Sequence, residues 1–371
     1  MRKLLYLLAV VTSSFTAEAQ QADYRLVIGT YTAPGKSEGI YVYDFNTATA
    51  DLNQVSVQKN VINPSFLALT ADKKFIYAVN EDADKSTVSA FSFDAATGKL
   101  GFLNKQNSEG ADPCYLIADD KHVITANYSG GSIAVFERDR SGALTPAKQV
   151  IQHTGSSIDK SRQESAHVHM VRFTPDRKYI VCNDLGEDKV NLYAYDKDAE
   201  ENVLTLKDSI SVKPGSGPRH IVFGKSGKYA YLIQEMHGDI TAFSYNDGTL
   251  NKIQETSMVD KDFKGENGGS DIQISADGKF LYAANRGTAN TITTFAIGKD
   301  GKLTKKGQVN TNGKNPRAFT IDPSGNWLLV GHQNTNDIVI FKRNQITGEI
   351  KDTGKKIEIG APVCFIFVPK K

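Results

Sequence analysis

The feature that most constrains this chain is that it repeats itself. "NPSFLALTADKKFIYAVNE" (63–81), "GPRHIVFGKSGKYAYLIQE" (217–235), "GGSDIQISADGKFLYAANR" (268–286) and "NPRAFTIDPSGNWLLVGHQ" (315–333) align in one register without a gap. "DPCYLIADDKHVITANY" (112–128) and "HVHMVRFTPDRKYIVCNDL" (167–185) are looser copies. The interval is about 50 residues, the range in which repetition signals propellers or solenoids rather than separate domains. Each copy reads as a short alternating strand, a tight turn such as Ser-Gly-Lys or Asp-Gly-Lys, and an aromatic-led second strand.

A third alternating strand follows each copy, as in "GSIAVFERD" or "DITAFSYN". A turn then leads to a fourth strand, as in "TGKL", "SGAL" and "TGEI". Near the N-terminus, "RLVIGTYT" (25–32) and "GIYVYDFN" (39–46) supply the second and third strands of a further unit that lacks its first. The C-terminal "GAPVCFIFV" (360–368) fits as that missing strand. Seven four-stranded antiparallel units, one split between the two ends, predict an all-β, seven-bladed β-propeller whose ring is closed by N- and C-terminal strands in one blade. Closure removes the unpaired edges of an open array. No helical periodicity competes with this reading outside the first 20 residues.

Those first residues differ from the rest. Arg2 and Lys3 precede the apolar run Leu4 to Val11, and a small-residue stretch ends in Ala17-Glu18-Ala19. This is the pattern of a cleaved secretory signal over residues 1–19, and the apolar run is too short to span a bilayer. The expected organisation is therefore a signal at 1–19 and one propeller domain at 20–371, exported to the periplasm or outside the cell and not membrane-bound in its mature form. The charge balance of 44 basic against 42 acidic residues offers no footprint for nucleic acid. The three cysteines, Cys114, Cys182 and Cys364, lie far apart in strand-like contexts and read as small buried hydrophobes.

The repeat register also locates a site. In a propeller the first strand of each blade lines the central channel and the second runs back beside it. The start of one and the end of the other share a rim. The residue after the reference proline of "GPR" is, around the ring, Ser65, Cys114, His169, Arg219, Ser270, Arg317 and Val363. The residue ending the second strand is Thr32, Glu81, Tyr128, Leu185, Glu235, Arg286 and Gln333. These two circles gather His169, Arg219, Arg286, Arg317, Glu81 and Glu235 at one mouth. Several charges near one axis are unfavourable unless paired or ligand-bound. Guanidinium forks suit carboxylates, phosphates and developing oxyanions, and a histidine beside a carboxylate suits acid–base chemistry. His220, one residue beyond Arg219, is expected to point into the blade as a packing side chain.

Other chemistries fit less well. No G-x-S-x-G elbow is present. The glycine-rich turns are hairpin punctuation with no helix behind them to cradle phosphate. His167 and His169 in "HVH" share one strand face, but no third metal ligand accompanies them.

In order along the chain, "GTYT" with "GIYVYDFN", "HVHMVRFTPD", "NDLGEDKVNLYAYD", "GSGPRHIVF", "YAYLIQE", "SADGKFLYAANR" and "NPRAFTIDPSG" closely resemble the seven-bladed lactonase family. That family includes propeller-type 6-phosphogluconolactonases and fungal carboxymuconate cyclases. The resemblance covers residues 24–368. It implies a small-molecule lactone substrate, anionic in kind, and a metal-independent site with no cofactor. It also implies catalytic roles for His169, Arg219, Glu235 and Arg286, with His169 or Glu235 as the base that activates water. Arg317, Glu81 and His167 are expected to contribute to substrate binding. Two alternatives remain at this point: a lactone-forming cyclase using the same residues, and a non-catalytic binding propeller.

Overall fold

The structure, a computed structural model, describes residues 24–370 apart from residue 34. The proposed signal at 1–19 lies outside the described residues. Twenty-eight strands, numbered in chain order, form seven four-stranded antiparallel sheets, and no helix occurs among the described residues. Six blades each use four consecutive strands. Their innermost strands are β4 (Leu67–Leu69), β8 (Pro113–Ala118), β12 (Val168–Phe173), β16 (Pro218–Phe223), β20 (Gly269–Ile274) and β24 (Pro316–Ile321). In the seventh sheet, β28 (Pro362–Pro369) pairs with β1 (Tyr24–Thr30), followed by β2 (Gly39–Phe45) and β3 (Leu52–Lys59). The split unit inferred from the two chain ends is thus a real blade.

One detail of the reading changes. The second and third strands do not alternate in burial as half-covered strands would. β9 (His122–Asn127), β21 (Phe280–Asn285) and β25 (Trp327–His332) are buried at every position. The reason is that blades stack face to face, so both faces of their middle strands are covered. Exposure is concentrated in the outermost strands, such as β15 (Leu204–Ser211) and β27 (Ile350–Glu358).

The aromatic that opens the second strand has a defined task in this stacking. Phe75, Tyr179, Tyr229 and Phe280 each lie against a glycine in the outer hairpin of the next blade, respectively Gly142, Gly248, Gly301 and Gly348. A Cβ on Gly301 would sit 2.3 Å from the Tyr229 ring, and the glycine's φ is +79°. Both facts exclude a side chain there. Two residues further along three of these strands, a fully buried tyrosine donates its hydroxyl to the carbonyl of the same hairpin glycine. The bonds are Tyr77 to Gly142 (2.9 Å), Tyr231 to Gly301 (3.0 Å) and Tyr282 to Gly348 (2.7 Å). The recurring aromatic and the recurring turn glycine are therefore the two halves of one inter-blade joint.

The entry to the innermost strands is equally regular. The residue before the reference proline has a positive φ at Asn63, Asp112, Gly217 and Asn315, and also at Ala361. Asn, Asp and Gly tolerate this left-handed conformation best, which explains the recurrent Asn-Pro, Asp-Pro and Gly-Pro dipeptides. Immediately afterwards the ladder skips a residue. Pro113, Val168, Pro218 and Pro316 pair with the second strand and so do Tyr115, Met170, His220 and Ala318, while Cys114, His169, Arg219 and Arg317 between them are unpaired. β20 skips between Gly269 and Ile272, and Val363 is skipped in β28. These are β-bulges, which bend a strand and re-aim a side chain.

The joint between blades can be tested by thermal melting. Tyr231→Phe leaves the Gly301 carbonyl without its donor and is expected to destabilise by about 1 kcal/mol. Gly301→Ala forces both a strained φ and a ring displacement and should lower Tm further than Tyr231→Phe. Equal melting of Gly301→Ala and wild type would refute the joint.

Candidate active site

Four bulged residues of the innermost strands (Cys114, His169, Arg219 and Arg317) and four residues ending second strands (Glu81, Tyr128, Glu235 and Arg286) form one end of the channel. His169, Glu235, Arg286, Arg317 and Glu81 all line a cavity of about 260 Å³ at this mouth, together with Tyr31, Asp112, Cys114, Tyr128, Ser129 and Arg162. Arg219 lies beneath this cavity and lines the tunnel of about 560 Å³ that continues along the axis. Cys114 and Arg317 border both spaces.

Glu235 is the hub. It follows β17 (Tyr229–Gln234) and is only 6% exposed. Its Oε2 accepts from Arg219 Nε at 3.0 Å and pairs with Arg286 Nη2 at 2.9 Å, and its Oε1 accepts from Arg162 Nη2 at 2.6 Å. Burial alone would raise the carboxyl, but the three guanidiniums outweigh it and hold Glu235 well below the usual carboxylate range. The charge on Arg219, the largest fully buried side chain, is opposed by burial and by Arg286 and Arg317, which push it down to about 9. It remains a cation at neutral pH. Arg286 is steadied by a second bond, from Nε to the Gly268 carbonyl at 3.0 Å.

His169 Nε2 lies 4.0 Å from Glu235 Oε2. Its ring packs edge-on against Tyr128 and His220, with Nδ1 3.6 Å from the Cys114 sulfur. Burial, followed by the charge of Arg219, drives His169 well below the ordinary imidazole range. His169 is therefore neutral at pH 7, with a lone pair available. Cys114 is no rival nucleophile, since burial raises its thiol far above the range in which a thiolate forms.

On the opposite wall, Glu81 accepts from the Tyr31 hydroxyl at 2.7 Å and from the Ser65 hydroxyl. Burial raises its carboxyl despite Arg317 nearby. Arg317 lies over the Tyr31 ring, 5.4 Å from its centroid. Among the described residues its guanidinium makes no hydrogen bond or ion pair, so it is the uncommitted cation of the mouth.

Two expectations do not survive in geometry. His167 is not brought to the cavity. Its ring stacks on Tyr128 at 4.6 Å, with Nδ1 3.0 Å from the Tyr128 carbonyl and Nε2 3.2 Å from Glu164. The bulge at His169 breaks the alternation that would have put both histidines on one face. His220 does not point into the blade but lines the tunnel beside Arg219. The extra residue at Arg219 again shifts the alternation by one position.

Arg162 and Tyr31 were not singled out by sequence reasoning. Arg162 comes from the connection 153–167 between β11 (Leu144–Gln152) and β12, which is much longer than the connections 108–112 and 212–217. That length was the available signal, because long loops on a regular scaffold tend to carry function. The loop is pinned by buried Gln163, whose amide donates to the Leu185 carbonyl at 2.8 Å, and Arg162 roofs the cavity beside it.

The chain as a whole is similar to known proteins. A family model described as "Lactonase, 7-bladed beta-propeller" matches residues 25–367. A 6-phosphogluconolactonase of Formosa agariphila is 36% identical over 341 residues, covering 90% of this chain and 96% of the relative. The 6-phosphogluconolactonase of Bacillus subtilis is 35% identical over 346 residues, covering 92% and 97%. The crystal structure of the periplasmic gluconolactonase PpgL of Pseudomonas aeruginosa superimposes with a TM-score of 0.90 at 33% identity, covering 94% of this chain and 99% of that one. With the model matching nearly all of the described ring and relatives of this similarity matching end to end, the chain belongs to the seven-bladed β-propeller lactonase family.

Proposed function

We propose that this protein hydrolyses an anionic sugar lactone, of the 6-phosphogluconolactone or gluconolactone type, at the channel mouth. The observation that carries the reading is the pairing of a neutral imidazole with an ionised carboxylate across 4.0 Å, inside a cavity that keeps one uncommitted guanidinium. A water in that gap can donate one hydrogen to His169 Nε2 and the other to Glu235 Oε2, leaving its lone pair for the substrate carbonyl.

Of the two candidate bases, His169 fits better. Glu235 already accepts from three guanidiniums and is too acidic to take a proton at neutral pH. His169 removes the proton as the water oxygen bonds to the carbonyl carbon, and Glu235 stabilises the imidazolium formed. Arg286, facing the cavity, stabilises the oxyanion of the tetrahedral intermediate. On collapse the ring C–O bond breaks and the imidazolium returns the proton to the departing ring oxygen. The product is a hydroxy acid. Arg317 binds the substrate's anionic group, and the mouth and tunnel together hold five guanidiniums (Arg162, Arg172, Arg219, Arg286 and Arg317) against four carboxylates (Glu81, Asp112, Glu235 and Asp271).

We further propose that residues 1–19 are removed during export and that the natural substrate is a lactone outside the cytoplasm. The signal-like start of the chain and the likeness to a periplasmic gluconolactonase support this.

Four outcomes follow. His169→Ala should lower kcat by about 10²–10⁴ with the fold retained, the range for loss of a general base. Because His169 is depressed, its basic form is lost only as pH falls through a value well below 6.5. The wild-type kcat/KM should therefore stay flat from about pH 8 down to 6; a limb centred near 6.5 would remove His169 from the role. Arg317→Met should raise KM for a phosphorylated lactone about tenfold or more while changing the free lactone less, as measured by initial rates on both substrates; identical loss on the two would contradict its role as anion anchor. N-terminal sequencing of the protein from the periplasmic or secreted fraction should begin at Gln20, and an intact Met1 would refute export by cleavage.

A further inference from the structure

One hydrogen bond recurs between neighbouring blades, and at one junction its acceptor differs in kind. The residue before the reference proline donates its N–H to a side chain in the turn between the second and third strands of the preceding blade. Asp112 N–H reaches Ser86 Oγ at 3.2 Å, Asn315 N–H reaches Asn290 Oδ1 at 2.7 Å, and Ala361 N–H reaches Asn336 Oδ1 at 3.0 Å. Asn290 and Asn336 hold this place with φ of +46° and +57°. At the junction before Arg219, Gly217 N–H reaches Oδ1 of Asp188 at 2.7 Å, and Asp188 has a φ of +54°. Asp188 directly precedes β14 (Lys189–Tyr195) and is only 3% exposed.

The carboxylate brings a second acceptor oxygen that the neutral residues lack. Asp188 Oδ2 accepts from the Gly215 N–H at 2.6 Å and from the Ser157 hydroxyl at 2.6 Å. An asparagine would set its NH2 against the Gly215 N–H at that point, donor against donor. Ser157 belongs to the long loop 153–167. Its N–H donates to the Gln163 carbonyl at 3.0 Å, while the Arg162 and Gln163 N–H groups both donate to the Asp159 carbonyl. The stretch that carries Arg162 is thus a closed turn, tied down at Ser157.

The two oxygens of Asp188 lead to the same residue. On the Oδ1 side, Gly217 runs through Pro218 into Arg219, and its carbonyl accepts from the Glu235 N–H at 2.7 Å. On the Oδ2 side, the anchored loop sets Arg162 Nη2 on Glu235 Oε1 at 2.6 Å. A circuit therefore runs from Asp188 through Ser157, Arg162, Glu235 and Gly217 back to Asp188.

We propose that Asp188 is a positioning residue for the channel mouth: one oxygen holds the Gly217 turn as the other blades do, and the second fastens the roof loop so that Arg162 meets Glu235. Asp188 lines neither the mouth nor the tunnel and acts only through these residues. The kinetic test rests on the lactonase reading, whereas the exchange test does not.

Asp188→Asn converts this junction to the form found in other blades. It keeps an acceptor for Gly217 and loses the one shared by Gly215 and Ser157. It should lower kcat about tenfold or more, the scale on which small displacements of reacting groups act. KM for a phosphorylated lactone should change less, because Arg317 lies outside the circuit. Asn336→Gly removes the recurrent bond beside Val363 and suits the positive φ; it should lower Tm and leave kcat as in wild type. In an Arg162→Ala background, Asp188→Asn should cost less than it does alone. Wild-type kcat in Asp188→Asn, an equal loss in Asn336→Gly, or an additive cycle overturns the proposal. Hydrogen exchange is the second readout. Amides of residues 154–166 should exchange faster than wild type in Asp188→Asn but not in Asn336→Gly, and unchanged exchange in Asp188→Asn also overturns it. Should Asp188→Asn fail to fold, Ser157→Ala, which removes only the loop's bond, is judged by the same two measurements. Wild-type protein without activity on any lactone would sink the functional reading while leaving the exchange result standing.

Discussion

Pairing between β28 and β1 is the interaction on which the rest depends. It joins the two ends of the described chain through a ladder running from Tyr24–Pro369 to Thr30–Pro362. Only a closed ring brings His169, Arg219, Arg286 and Arg317, drawn from four different blades, around one axis. An open stack of the same sheets would keep the inter-blade joints yet spread these side chains along an edge. Closure also explains why no single stretch of the sequence looks like an active site. The site is a set of equivalent positions, each unremarkable in its own blade, which the ring superimposes.

A second constraint follows from the first. Converging on one axis forces charge into a buried place, and the structure resolves this by pairing. Glu235 sits among three guanidiniums, and Arg219 is held between Glu235 on one side and the Asp271–His220 pair on the other. Breaking any one of these pairs would strand a desolvated ion, an effect generally stronger than the net contribution of the pair itself. The network therefore fixes the arrangement of side chains at the mouth more than it adds stability. Arg317 is the exception: it lies over the Tyr31 ring and makes no hydrogen bond or ion pair among the described residues.

Much of this was legible in the sequence because repetition turns one alignment into seven structural statements. The four-stranded blades, the split closing blade and the rim positions of His169, Glu235, Arg286, Arg317 and Glu81 could be read from register alone, whereas Arg219, expected at the same mouth, lies beneath it and lines the tunnel. What misled was strict alternation. His167 and His220 were assigned faces by counting in twos, and in both cases an adjacent bulge inserts one residue and moves the side chain to another face. A bulge is a backbone event with a weak local signature, and only the recurrent left-handed Asn, Asp or Gly before the strand hinted at it.

By itself, then, the sequence determined the blade, its number and its order. Strand patterning, turn glycines and the aromatic two-part joint are local, and each is encoded within about 50 residues. Tertiary structure alone decided which charges pair. Whether Glu235 is a base or a locked counter-ion depends on guanidiniums 16, 51 and 73 residues away and on a loop whose path no repeat specifies. His220 likewise meets a carboxylate from the next blade, Asp271. Periodicity fixes where a residue enters the channel, but protonation is set by distance and burial, and these exist only once the ring has closed.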